Sequence, residues 1–146
     1  MLLNVGGTSD TLRDGLAAGT VAAVVSGAPS TLHALATGDD AMAAAHAAGA
    51  MALPHERRGA LLFLAAVPVH AALSVGWAEV LAAVLPRRRT AVWGALAGLG
   101  IAALDLGLIG RRFPRVRALP PLPQVADHVA YGATVGAVLA RRRGRR

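Results

Sequence analysis

Residues 91–110, AVWGALAGLGIAALDLGLIG, hold a single formal charge in 20 positions. Arginines close the run at both ends, Arg87, Arg88 and Arg89 before it and Arg111 and Arg112 after it. About 20 apolar helical residues at a rise of ~1.5 Å cover the ~30 Å hydrocarbon core of a bilayer, so this stretch commits the chain to a membrane. Its one charge is Asp105. A carboxylate in hydrocarbon costs about 3 kcal/mol or more, so the acid has to face something other than lipid.

The rest of the chain carries the same signature. Of 146 residues, 55% are hydrophobic but only 3% are aromatic. Side chains as small as Ala and Gly bury little area per position in a water-soluble core, yet they let membrane helices pack closely. Without cysteine there is no disulfide framework and no thiolate metal site. All 15 basic residues are arginine, which together with abundant Ala, Gly and Pro points to a GC-rich bacterial genome. A net charge of +7 raises the question of nucleic acid, but the arginines sit in clusters at the ends of apolar runs. That placement suits anionic lipid headgroups and argues against nucleic acid. The N-terminal MLLNVGGTSDTLRDG has acids where a leader peptide needs bases, and no cleavage is expected.

Hydropathy predicts an all-α integral membrane four-helix bundle in one domain, with spans at about 15–35, 59–85, 91–110 and 122–140 and a basic tail at 141–146. Pro29 should kink the first span or end it early. Between the first two spans, residues 40–53 predict a helix that Asp39 or Asp40 caps and Pro54 ends. At about 20 Å it is too short to cross, so it lies at the membrane surface or tucks against the bundle, with His46 facing solvent. Nine arginines fall on the side of the termini and six in the two opposite loops, which predicts cytoplasmic termini. The four arginines of RRFPRVRALP, on the outer side, are expected to pair with acids or headgroups there.

Residues three or four apart share a helix face, and each span has a small-and-polar one. The first carries Gly15, Gly19, Ser26, Ser30 and His33; the second His70, Ser74 and Trp77; the third Gly94, Gly98 and Asp105; the fourth His128, Gly132 and Gly136, with Asp127 and Tyr131 adjacent. The glycines are read as packing positions. Counting the rise per residue places His33, His70, Asp105, Asp127 and His128 in the outer half of one bundle, roughly 21 Å up the third span for Asp105 and 8 Å down the fourth for Asp127 and His128. Asp105 is then tolerated because these groups, or Arg111 and Arg112 at the rim, share its hydrogen bonds and charge. Glu79, near the inner end of the second span, is expected to snorkel or to meet Arg87, Arg88 or Arg89.

Such a cluster suits a proton relay, a divalent metal site or a polar cavity for a solute. Against these stands a purely structural role as interhelical glue, or a partner-binding protein that uses its glycine faces to dimerise or to dock a larger complex. No spaced metal motif is present, and adjacent Asp127 and His128 point about 100° apart on a helix, so they do not form a simple ligand pair. No serine or cysteine sits in a nucleophile motif. The sequence therefore names no catalytic residue, metal or cofactor.

The stretches GLAAGTVAAVVSGAPSTLHALATG, PVHAALSVGWAEVL and ALDLGLIGRRFPRVRALPPLPQVADHVAYGATVGAVLARR resemble small four-span actinobacterial membrane proteins. More distantly they resemble the YagU-type inner-membrane family, whose last span similarly carries a His, an aromatic residue and glycines. The resemblance implies a multi-pass inner-membrane protein and brings no reaction, ligand or site residues with it.

Overall fold

The computed structural model describes residues 5–145, with side chains described from residue 9 onward. The leader expectation falls partly on residues 1–4 and the last arginine of the tail is Arg146, so both lie outside the described residues. Among the described residues every regular element is helical: α1 (Val5–Val25), α2 (Ala28–Thr37), α3 (Ala43–Ala52), α4 (Gly59–Val84), α5 (Thr90–Leu104), a short α6 (Pro114–Arg117) and α7 (Pro121–Arg143). A π-turn, Asp105–Ile109, and a 3-10 turn, Gly110–Arg112, prolong α5.

Three segments among the described residues are long and apolar enough to cross a membrane: Ser9–Thr37, Gly59–Val84 and Thr90–Arg112. The remaining long helix, α7, has 23 residues and the length to span. It falls short on composition because it carries Gln124, Asp127, His128, Tyr131 and three terminal arginines. Its place in the bundle explains this. One side of α7 lies along α5, another along α1 and α2, and it touches α4, whereas α5 packs chiefly on α7 alone. A helix with protein around it need not be as apolar as one that faces lipid.

The first span breaks where glycine and proline meet. Pro29 has no N–H to extend α1, and the chain turns at Ser26 and Gly27 before α2 starts with the proline in its first turn, where a missing N–H costs nothing. Gly38, at φ 77°, closes α2 in the left-handed conformation that glycine adopts without strain. α4, by contrast, runs unbroken through Pro68.

α3 packs along α4 with Ala47, Gly49 and Ala50 buried. A Cβ on Gly49 would fall on the carbonyl oxygen of Leu62, so α3 is held flush to α4 and does not lie free at a surface. Asp40 does not cap it through the first helical residue. Its carboxylate accepts the Met42 N–H at 2.8 Å, an Asx turn just ahead of the helix. His46 is half-buried and places Nδ1 3.6 Å from the same carboxylate, which corrects its reading as solvent-facing.

The core is built from small residues, Ala18 and Ala22 of α1 and Ala78 and Ala82 of α4, closed by Leu81, Tyr131, Val135 and Leu139. Large apolar side chains point outward instead: Val24, Leu32, Leu64, Val84, Trp93, Leu96 and Leu108 are all at least half exposed. That inversion suits a hydrocarbon solvent, which exacts no penalty for exposed leucine.

Candidate functional site: polar groups between the helices

Glycines set the distances between helices. A Cβ on Gly98 would land on the carbonyl oxygen of His128, one on Gly94 on that of Gly132, and one on Gly136 on that of Thr90. On the other side of the bundle, Gly15 lies against Glu79 and Gly19 against Ser74 and Val75, each with a backbone atom 2.9 Å from where a Cβ would stand. The two antiparallel pairs, α5 with α7 and α1 with α4, thus meet backbone to backbone.

This contact fixes what Asp105 can reach. Side chains on a helix lean toward its N-terminus. His128, its carbonyl at Gly98, leans toward the start of α7, and Asp105, two turns beyond Gly98, leans back toward it. Nε2 of His128 lies 3.5 Å from Oδ2 of Asp105, with the two side chains 21% and 22% exposed. The other ring nitrogen, Nδ1, is 2.8 Å from the carbonyl oxygen of Gln124 one turn earlier, so the ring is held at both ends. Asp105 also opens the π-turn, whose Gly110 N–H reaches back to the Asp105 carbonyl. Such a turn adds a residue to the helix and re-aims side chains locally, and it recurs at functional sites.

The other sequence-predicted residues do not converge on Asp105. Asp127 accepts the backbone N–H of Ser30 at 2.8 Å. That donor belongs to the first turn of α2, where N–H groups have no partner within the helix, so a carboxylate from α7 caps a helix 97 residues away in sequence. His70 places Nε2 2.9 Å from the carbonyl oxygen of Ala23, near the end of α1, and is otherwise exposed. His33 is exposed and lines a pocket between α2, α3 and the start of α7. Among the described residues Arg111 and Arg112 form no ion pair with Asp105, and Glu79 forms none with Arg87, Arg88 or Arg89. The expected five-residue cluster is therefore one titratable pair plus two separate links between helices. Among the described residues no three His, Cys, Asp or Glu side chains group to hold a metal ion.

Several polar links have no counterpart in the sequence reading. Asp14 of α1 is buried, 3% exposed, and Arg142 of α7 donates to it from Nε at 2.6 Å. Arg143 donates to the carbonyls of Leu85 at 3.0 Å and Ala82 at 2.5 Å, closing the last turn of α4. The Tyr131 hydroxyl donates to the Ser74 carbonyl. The basic tail thus has structural work inside the bundle, beyond facing headgroups. A signal for one link was present: Asp14 and the tail fall on the same predicted side of the membrane with opposite charge. Arg115, expected to pair with an acid or a headgroup, forms no ion pair among the described residues; it donates to the Glu56 carbonyl at 2.8 Å and ties the segment before α4 to the one before α7. Glu56 itself is held by Arg58, whose guanidinium, together with the N–H groups of residues 57 and 58, keeps its carboxyl at about 2, below the ordinary 4.5.

No family model, curated protein or solved structure matches the chain.

Proposed function

We propose that the chain is a four-span protein of the bacterial inner membrane, with α7 as the fourth span and both termini cytoplasmic. We further propose that Asp105 and His128 take up and release a proton, as part of proton-linked or small-solute passage. The observation that carries this is the pair itself: an acid on a π-turn in an otherwise apolar segment and an imidazole of α7 3.5 Å from it, each side chain about a fifth exposed. Histidine titrates in the physiological range, and an ionisable residue in a span is costly unless it is used. In this reading the exposed arginines 87–89, 111 and 112 meet anionic headgroups, and the resemblance to four-span actinobacterial and YagU-type proteins is part of the proposal.

A second reading is favoured by the other polar groups. Asp127, His70 and Tyr131 are each spent on the main chain of a neighbouring helix. If Asp105 and His128 do only the same work, the protein is a structural or partner-binding membrane protein that assembles with itself or with a larger complex. The test of passage is direct. The purified chain is reconstituted in liposomes that enclose a pH-sensitive dye, and an external acid step is applied. Passage predicts faster acidification than in protein-free liposomes; equal rates favour the structural reading.

A further inference from the structure

Between α2, the start of α3 and the start of α7 lies a half-open pocket of about 300 Å³, the lower end of the range that holds small ligands. Its charged lining is Asp39 and Asp40, with His33 beside them, and among the described residues no arginine lines it although the chain carries +7. Gln124 contributes the second, independent observation. It is only 9% exposed and lines the pocket. Its main-chain carbonyl is taken by His128, but among the described residues its side-chain amide hydrogen-bonds to nothing. No polar side-chain atom among the described residues is sealed away without a partner, so that amide keeps an open side, and the pocket is the opening that Gln124 lines. That amide therefore has bonding capacity left for water or for a ligand.

We propose that this pocket binds a primary ammonium group. An ammonium carries three N–H donors on a compact charge, and three residues with acceptors line the pocket: Asp39, whose carboxylate accepts the Thr37 hydroxyl at 2.6 Å and keeps further lone pairs, Gln124, and Ser30, whose own hydroxyl hydrogen goes to the Gly27 carbonyl. Pro120 and Pro123 offer an apolar wall for a short alkyl chain. The two carboxylates disfavour an anion. A quaternary ammonium is recognised by the faces of Trp, Tyr or Phe, and among the described residues none of these lines the pocket. The inference is independent of proton passage. A primary ammonium can come from a free amine or from an ethanolamine lipid headgroup, and the chemistry at the pocket is the same.

The test uses the purified full chain in detergent, titrated with n-butylamine, which is an ammonium at neutral pH, with tetramethylammonium and butyrate as controls. Saturable binding of butylammonium, with neither control competing for the site, is expected. Asp39→Asn should weaken it about tenfold, the loss of one charged hydrogen bond. Asp39 is exposed, so this variant keeps the bundle even if Gln124→Leu does not fold. Absence of saturable binding, equal binding of tetramethylammonium, or an unchanged affinity in Asp39→Asn would overturn the proposal. Repeating the titration in nanodiscs separates the sources. Weaker butylammonium binding in phosphatidylethanolamine than in phosphatidylcholine identifies the headgroup as occupant, and equal binding identifies a free amine.

Discussion

Gly98 of α5 and His128 of α7 touch backbone to backbone, with the His128 carbonyl where a Cβ of residue 98 would stand. The closeness of the two helices at that level brings the imidazole to Asp105, so the packing and the candidate site are one feature.

Gly98→Ala should therefore do two things. It should destabilise the bundle by about 1 to 3 kcal/mol, the usual cost of overpacking, and it should pull His128 away from Asp105. Gly100→Ala is the control. Nothing lies within 4 Å of a Cβ there, and replacing helical glycine by alanine stabilises by roughly 0.5 to 1 kcal/mol. Detergent unfolding of the two variants should move in opposite directions; equal shifts would mean that α5 and α7 are not in contact at Gly98.

Arg142→Gln removes the cation held 2.6 Å from a carboxylate that is 3% exposed. Breaking a buried pair from one side costs about 3 to 5 kcal/mol, and the lower end applies because Arg142 is itself 41% exposed. Arg141→Gln, on an exposed residue of the same cluster, should leave stability within about 0.5 kcal/mol. Unfolding midpoints of the two variants check this, and equal losses would make the tail a general electrostatic feature and not a specific link.

How much of this was legible in the sequence differs from residue to residue. The lines Gly94, Gly98 and Gly132, Gly136 are written in the spacing of four, and so was the expectation that small residues mark packing faces. Which face meets which helix was not, because spacing carries no information about partners. For that reason Asp105 had four candidate partners and a rim of arginines on paper, and has His128 in the fold. Asp127 was beyond reach for a different reason: its partner is a main-chain N–H freed by the break at Gly27, and a backbone donor has no letter in a sequence. Gly49 was passed over because nothing in its spacing said which helix α3 would meet.

Glu56 supplies a pH prediction outside the membrane. Its carboxyl is held at about 2 by Arg58, below the ordinary 4.5. A folded value below the unfolded one means that this contribution to the loop is complete above about 4.5 and is lost as the pH falls through about 2. Arg58→Gln should return the Glu56 titration toward 4.5 in a carbon-detected NMR experiment. An unchanged midpoint would show that the main-chain N–H groups, not the guanidinium, hold the carboxylate.

The proposed four spans would place the C-terminus and the loop that ends at Arg58 on opposite sides. Reporter fusions at those two points should read cytoplasm and exterior respectively. Within α3, a cysteine at exposed Ala52 should react with a water-soluble thiol reagent while one at Ala47, buried against α4, should not. Reporters on the same side would remove α7 from the list of spans.

The most direct test of the proton reading is Asp105→Asn, followed in liposomes and in detergent at once. Asparagine keeps the shape and a hydrogen bond to His128 while it removes the charge, whereas Asp105→Leu removes both and should lose up to about 3 kcal/mol in unfolding, the low end for a pair that keeps about a fifth of each side chain exposed. If the pair carries protons, Asp105→Asn unfolds at the parent midpoint and acidifies the liposome interior no faster than protein-free vesicles. If Asp105→Asn keeps the parent's proton flux, the pair only joins two helices, and the proposed function is wrong.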